Sequence, residues 1–129
     1  MDHFKKVKEY LLDLGYQITH EDTTDGILVI SKEEDGIRNL VIGLADPIII
    51  FEQFIFDVRR ENGVYKSLLQ KNRDIIHGAF VLDETGSKVI FRDTLQLENL
   101  DRNELEATLN SLSLLMSEYS DELIAFSKN

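Results

Sequence analysis

The chain has 129 residues, which is typical of a single domain, and its hydrophobic fraction of 43% and aromatic fraction of 9% are those of a globular protein. The net charge of −10 argues against nucleic acid and anionic lipid as partners, because both are bound through basic surfaces. Cysteine is absent, which excludes disulfides, thiolate metal sites and cysteine nucleophiles.

The N-terminal residues MDHFKKVKEYLLDLG lack the apolar core of a signal peptide. No stretch approaches about 18 consecutive apolar residues, the length of a membrane span. We therefore expect a cytoplasmic protein with no membrane partner. Residues 93–127 contain eight carboxylates and one basic residue, Arg102. We interpret this segment as a solvated acidic face, with a surface that attracts a basic partner segment as the alternative.

The first half of the chain predicts a helix followed by strands. In residues 2–14 the apolar side chains repeat at helical spacing, and Gly15 follows at the position of a left-handed C-cap. The next predicted elements are a short extended piece at 16–20, a strand within GILVIS at 26–31, a turn at KEEDG, and a strand at 37–44 that ends at Asp46 and Pro47.

Residues 48–58, IIIFEQFIFDV, form the longest predicted strand, and it is apolar on both faces. Strict alternation places Ile48, Ile50, Phe54, Phe56 and Val58 on one face and Ile49, Phe51 and Ile55 on the other. A sheet covered by helices on one side alternates more cleanly between apolar and polar residues. Either both faces are covered within the monomer, or one face meets a partner, and the sequence leaves both readings open.

The second half begins with the polar segment RRENG and a helix predicted within residues 65–76. The stretch FVLDETGSKVIF at 80–91 then predicts a β-hairpin in which Phe80 faces Phe91 and Asp83 faces Lys88. We interpret the acidic pair before Gly86 as turn chemistry with one cross-strand charge pair, rather than as an active site.

The last predicted element is one long helix. Asp101 and Glu104 have the spacing of a capping box. A continuous apolar stripe follows: Leu105, Leu109, Leu112, Met116, Tyr119, Leu123 and Phe126. This stripe predicts packing against a sheet. The predicted order is therefore α-β-β-β-α-β-β-α, an α+β fold with antiparallel pairing in a single domain, residues 1–129.

No motif for catalysis stands out in the sequence. The three histidines lack HExxH spacing, and neither a GxSxG elbow nor a phosphate-binding glycine loop occurs. We therefore predict no catalytic residue, no metal and no cofactor. A small metal-binding enzyme built around His20, Glu21 and Asp22 is the less favoured alternative.

The segment from Leu68 to Leu109 carries a family resemblance. The residues that carry it are Leu68, Leu69, Asn72, Gly78, the run Phe80–Glu84, Gly86, Val89, the step Leu95–Leu97, Leu100, Asp101, Glu104 and Leu105. This run resembles that of the Tir chaperone (CesT-type) family of small type III secretion chaperones and of the related YbjN-like domains. The RRENG insertion and the C-terminal DELIAFSKN depart from the pattern.

The resemblance implies a twisted antiparallel sheet with helices largely on one face, no enzymatic activity, and a homodimer that binds an extended effector segment along apolar grooves. We therefore predict a chaperone-like module for a protein or peptide client. A YbjN-like regulatory or structural subunit without chaperone activity is the alternative. We predict Phe51, Phe54, Ile55 and Tyr65 as interface residues.

Overall fold

The computed structural model describes residues 2–129, which form four helices, six strands and a short 3-10 turn. The helices are α1 (His3–Asp13), α2 (Val64–Asn72), α3 (Arg102–Glu118) and α4 (Ser120–Lys128). The strands are β1 (Gln17–Asp22), β2 (Ile27–Lys32), β3 (Ile37–Ala45), β4 (Ile48–Asp57), β5 (Ala79–Leu82) and β6 (Lys88–Gln96). The 3-10 turn, Glu33–Asp35, links β2 to β3.

All six strands form one antiparallel sheet in the order β1-β2-β3-β4-β6-β5. The predicted α+β class and antiparallel pairing are confirmed. The sheet has one strand more than predicted before α2, because the extended piece after Gly15 continues to Asp22 and pairs with β2. β1 is mostly exposed and polar, so its alternation is too weak to predict a strand by itself.

α1 begins and ends as its sequence indicates. The Asp2 side chain accepts a hydrogen bond from the backbone N–H of Lys5 at 3.1 Å. At the other end, Gly15 has φ +85°, and the N–H of Tyr16 donates to the carbonyl of Leu11 at 3.0 Å. The predicted left-handed cap is therefore confirmed, since glycine adopts this conformation without steric cost.

The hydrophobic core lies between the helices and one face of the sheet, which we call the inner face; the opposite face is the outer face. Fully buried residues on the inner face are Leu28, Ile30, Leu40, Ile42, Ile49, Phe51, Val89 and Phe91, and α3 contributes Leu105, Leu109 and Leu112. The outer-face residues of the central strands are half-buried or exposed. The prediction of helices largely on one face is confirmed.

The β5–β6 hairpin has the predicted register, with Phe80 opposite Phe91 and Leu82 opposite Val89. The predicted ion pair between Asp83 and Lys88 is wrong. Lys88 Nζ instead lies 2.7 Å from a carboxylate oxygen of Asp57 on the neighbouring strand β4. The Asp83 carboxylate accepts hydrogen bonds within the turn, which leaves the lysine free to pair across the sheet.

The C-terminal helical stripe is divided between α3 and α4 at Tyr119, whose φ of −106° and ψ of 9° interrupt the helix. The capping box of Asp101 and Glu104 is present. The prediction of a single continuous helix is wrong. Lys71 of α2 lies 5.0 Å from the centre of the Tyr119 ring and pairs with Glu122 of α4 at 2.6 Å, so α2 contacts the chain at the interruption and just beyond it.

Candidate functional site

β3 and β4 pair along only part of their lengths. The ladder runs from Ala45 opposite Ile48 to Val41 opposite Glu52 and stops there. β4 continues to Asp57, but beyond Glu52 it pairs only with β6 among the strands of residues 2–129. The first residues of β3 pair with β2 instead. The two central strands therefore diverge at this end of the sheet.

Gln53 stands at the point of divergence. Its side chain lies on the inner face and is 2% exposed. The side-chain oxygen accepts a hydrogen bond from the backbone N–H of Arg38 at 3.0 Å, and the side-chain nitrogen donates to the carbonyl of Gly36 at 3.1 Å. The amide thus satisfies backbone groups of β3 and its preceding turn that would otherwise pair with a strand.

A β-bulge changes the direction of side chains just beyond Gln53. Phe54 lies opposite Ile90 while Phe56 lies opposite Val89, so Ile55 is the additional residue in β4. Phe56 consequently points to the inner face, where its ring centre lies 6.1 Å from that of Phe126. Strict alternation had placed Phe54 and Phe56 on the same face, and the bulge makes that prediction wrong.

A groove of about 640 Å³ opens beside this diverging end, and we call it the β3–β4 groove. Its volume is within the range of protein ligand sites. One wall is the 3-10 turn with Gly36 and Arg38, and the β4 side is formed by residues 53–56. The opposite wall comes from α3 and α4 and contributes Met116, Leu123, Ile124 and the serines 113, 117, 120 and 127.

The β3–β4 groove is acidic on one wall, and its α3–α4 wall combines apolar side chains with serine hydroxyls. Its lining includes three carboxylates, Glu33, Glu34 and Asp35, and one guanidinium, that of Arg38. Asp35 pairs with Lys32 at 3.4 Å. Within residues 2–129, Glu33 and Glu34 form no ion pair. The wall therefore has unneutralised negative charge beside Ile124, which is 52% exposed. Phe54 is also 52% exposed, but it lies opposite Ile90 on the outer face, with Lys88 Nζ 5.3 Å from its ring centre.

The structure brings together two of the four predicted interface residues. Phe54 and Ile55 line the β3–β4 groove. Phe51 is fully buried in the core, so a partner cannot reach it unless the core opens. Tyr65 is half-buried on α2, and its hydroxyl donates to the carbonyl of Gly86 at 3.2 Å, outside the groove. Whether any of the four contacts a partner stays a prediction.

Sequence reasoning missed Gln53 and the two helix residues Leu123 and Ile124 as parts of the site. One signal for Gln53 was available: it is a polar residue at an inward position of an otherwise apolar strand, and buried polar groups require partners. No sequence signal placed α4 beside β4, because that contact joins residues about 70 positions apart in the chain.

The residues of the metal-enzyme alternative have other roles in the structure. The Glu21 carboxylate binds Lys8 at 2.9 Å, and Asp22 accepts a hydrogen bond from the N–H of Asp25. His20 is exposed on β1. Across residues 2–129, no group of three histidine or acidic side chains is placed to hold a metal ion.

Comparison with known proteins identifies the family. A model of the CesT_Tir_1 family matches residues 1–129. The chain belongs to this family. Membership confirms the family resemblance and the prediction of a non-catalytic, chaperone-like protein-binding module. None of the curated proteins matches the chain.

Solved structures with the same fold include chaperones bound to other proteins. The ExsC–ExsE complex matches with a TM-score of 0.69 and 18% identity over 93% of this chain and 92% of that chain. YbjN from E. coli, described as a putative transcription regulator, matches with a TM-score of 0.68 and 17% identity over 92% of both chains. The Yersinia pestis type III secretion chaperone SycH, in complex with a fragment of YscM2, matches with a TM-score of 0.62 and 15% identity over 97% and 99%.

In the part of the chain that the structure describes, no helix combines the length and the apolar character needed to cross a bilayer.

Proposed function

We propose that this protein is a chaperone-like module that binds an extended segment of a client protein and performs no catalysis on it. The observation that carries the proposal is the β3–β4 groove of this CesT_Tir_1 family member, which lies at the diverging end of the central strands, with Phe54 exposed on the outer-face side of that end. Exposed apolar side chains beside an incompletely paired strand are features of peptide-binding sites.

The related complexes support a protein client. The HopA1–SchA structure is a chaperone–effector complex, and it matches this chain with a TM-score of 0.62 and 11% identity over 97% of this chain and 92% of that chain. SycH is bound to a stable fragment of YscM2. We retain Phe54 and Ile55 as the interface residues that a client reaches directly. Phe51 supports the groove from within the core, and Tyr65 holds the neighbouring hairpin turn through Gly86.

The proposal includes a homodimer in the cytoplasm. Within residues 2–129, the outer face of the sheet leaves Val41 exposed and Ile50 and Ile90 half-buried. Burial of this face against a second copy agrees with the apolar character of both faces of β4. Light scattering should give twice the monomer mass of 14.9 kDa, and Val41→Lys should reduce it to the monomer mass with unchanged circular dichroism. Cell fractionation tests the location.

A second candidate function is a regulatory or structural subunit without chaperone activity. The match to E. coli YbjN favours it, because that protein shares the fold outside a chaperone complex. The two functions differ in the state of the partner. A chaperone client is extended where it is bound, whereas a stable subunit partner is folded.

Photo-crosslinking in the protein's own cells tests the proposed function. A benzoyl-phenylalanine in place of Phe54 should crosslink to a client, and the same residue in place of Leu114, which is 66% exposed on α3, is the matched control. The crosslinked client segment should exchange its amide hydrogens rapidly when free and slowly when bound. A partner that is already protected before binding would overturn the chaperone function in favour of the subunit.

A further inference from the structure

We propose that Asn62 is a site of spontaneous chemical modification, at which the side-chain amide is converted to aspartate or isoaspartate with the help of the Glu61 carboxylate. The reaction is an intramolecular amide hydrolysis, and its co-reactant is water. The inference is independent of client binding, because it rests on the polar segment 59–63, RRENG, to which the proposed function gives no role.

The residue that follows Asn62 gives the first argument. Asn62 precedes Gly63, whereas every other asparagine of the sequence precedes a larger residue or stands last. Loss of the amide begins when the backbone nitrogen of the following residue attacks the side-chain carbonyl carbon of asparagine. Glycine has no Cβ to obstruct this nitrogen, and it gives the backbone the widest choice of φ and ψ. Asn62 is therefore the asparagine at which ring closure is least hindered.

The structure leaves this dipeptide accessible. All residues of the segment 59–63 are exposed, and Asn62 and Gly63 form a turn between β4 and α2. Asn62 has φ +36° and Gly63 has φ +83°, conformations that asparagine and glycine tolerate better than other residues do. A Cβ placed on Gly63 would find no atom within 4 Å. Open space around the reacting bond lets the backbone reach the geometry of ring closure.

The Glu61 carboxylate contacts the attacking nitrogen itself. The N–H of Gly63 donates to one carboxylate oxygen of Glu61 at 3.2 Å, and the N–H of Tyr65 donates to the other at 3.1 Å. The second hydrogen bond holds the carboxylate beside the reacting bond. A general base acts over heavy-atom distances of about 2.6–3.2 Å. Glu61 is therefore placed to accept the proton of the Gly63 nitrogen during the attack.

The atoms balance over two steps. The Gly63 nitrogen forms a bond to the side-chain carbonyl carbon of Asn62, and the bond from that carbon to the amide nitrogen breaks. Ammonia leaves with the proton that Glu61 accepted, and a succinimide ring remains. Water then adds to one of the two ring carbonyls. Opening at the side-chain carbonyl gives aspartate, and opening at the backbone carbonyl gives isoaspartate.

Both products change the start of α2. Each adds one negative charge, which takes the net charge from −10 to −11. Isoaspartate also inserts a CH₂ group into the backbone directly before Gly63, whose carbonyl accepts a hydrogen bond from the N–H of Ser67 at 3.1 Å. Tyr65 lies in the same helical turn and binds the carbonyl of Gly86. We therefore expect isoaspartate to loosen the first turn of α2, with faster amide hydrogen exchange at Tyr65 and Ser67.

Asn99 is the internal control. Like Asn62, it is exposed in a turn and has a positive φ, +63°. The next residue, however, is Leu100, which is 2% exposed and whose N–H donates to the carbonyl of Leu97 at 3.1 Å. A nitrogen that is held by a backbone hydrogen bond beside a buried side chain is not free to attack. Asn99 should therefore stay intact while Asn62 is converted.

Peptide mapping of the intact protein after incubation at mildly alkaline pH tests the site. Trypsin cleaves after Arg60 and Lys66, so the peptide 61–66 isolates Asn62 from every other asparagine. Digestion at mildly acidic pH limits conversion during the preparation. Asn62 should be converted about tenfold faster than Asn99, because only its neighbour is glycine. Isoaspartyl methyltransferase should methylate this peptide, since the enzyme distinguishes isoaspartate from aspartate.

Variants separate the site from the role of the carboxylate. Asn62→Gln keeps an amide, but its longer side chain disfavours ring closure, so isoelectric focusing should no longer show the form with the added charge. Glu61→Gln still accepts hydrogen bonds but cannot take the proton, and it should slow conversion by about threefold or more. Glu9→Gln, which removes the same charge from α1, should leave the rate unchanged. In denaturing urea the effect of Glu61→Gln should disappear, because the hydrogen bond to Gly63 belongs to the folded state.

Two results would overturn the inference. Conversion of Asn62 no faster than that of Asn99 would remove the assignment of the site. A Glu61→Gln variant that reacts as fast as the original protein, or that is slowed equally in urea, would remove the role of the folded carboxylate. Neither readout involves a client, so both results leave the proposed function as it stands.

Discussion

The side-chain amide of Gln53 donates a hydrogen bond to the backbone carbonyl of Gly36 across 3.1 Å, from a side chain that is almost completely buried. The same amide accepts from the N–H of Arg38. At residue 53 the backbone hydrogen bonds between β3 and β4 end, and hydrogen bonds from the Gln53 side chain replace them. The β3–β4 groove begins there.

Replacement of Gln53 by leucine should destabilise the protein by about 1–3 kcal/mol, because two backbone groups lose their partner and are left unsatisfied. Urea unfolding measures the change in the free energy of unfolding. Gln96→Leu is the matched control, since Gln96 is exposed at the end of β6, and its effect should stay within about 0.5 kcal/mol. Equal stabilities of the two variants would contradict the bridging role of Gln53.

Phe51 and Phe54 should respond differently to truncation, although they are three residues apart in one strand. Phe51→Ala should cost about 3–5 kcal/mol, because its ring is fully buried and leaves a cavity. Phe54→Ala should cost less, about 1 kcal/mol, because only about half of its side chain is buried and its ring contact with Lys88 is at the surface. Thermal and urea unfolding of both variants measure the difference. A Phe51→Ser variant would therefore measure a loss of folding stability and could not test whether Phe51 contacts a partner.

Gly78 should tolerate alanine much less than Gly86 does. Both glycines have positive φ, +85° and +73°, so both variants lose about 1–2 kcal/mol from backbone strain. A Cβ at Gly78 would in addition collide with the buried ring of Phe91, whereas nothing lies within 4 Å of a Cβ at Gly86. Overpacking should therefore cost Gly78→Ala a further 1–3 kcal/mol, roughly. Similar melting temperatures for the two variants would show that the Phe91 ring moves aside easily.

The Asp83 carboxylate should make the stability of the hairpin depend on pH. Desolvation acts to raise the pKa of Asp83, but hydrogen bonds from the N–H of Lys88, the hydroxyl of Thr85 and the N–H of Ser87 outweigh it and hold the pKa below its ordinary value of 3.8. Because the folded-state pKa is lowered, the ionised form stabilises the fold above pH 3.8, and this contribution is lost as the pH falls through the folded-state pKa.

Asp83→Asn should therefore lower the melting temperature at pH 7, and the difference from the original protein should close as the pH falls below 3.8. Thermal unfolding followed by circular dichroism at several pH values measures this. Glu84→Gln removes the neighbouring carboxylate, which accepts no side-chain hydrogen bond in the described residues, and should show a smaller difference at pH 7. A difference in melting temperature between Asp83→Asn and the original protein that stays constant with pH would contradict a role for the Asp83 charge.

Local features were predictable from the sequence because the interacting groups are close in the chain. The cap at Gly15, the capping box at Asp101 and the register of Phe80 with Phe91 each join residues at most 11 positions apart. Dihedral preference and alternation alone decide such features. The family pattern between Leu68 and Leu109 is made of these same local features, and it led to the correct fold class.

The candidate site required the tertiary structure because its contacts join distant parts of the chain. The Gln53 amide reaches back 17 residues to Gly36, and Lys88 pairs with Asp57 across 31 residues instead of with its neighbour in the hairpin. The bulge at Ile55 reverses the expected face of Phe56, and only the pairing of β4 with β6 reveals it. The amino-acid sequence by itself therefore determined which elements form and to which family they belong. The tertiary structure decided where the central strands part, because strand pairing depends on which partner segments compete for the same backbone groups.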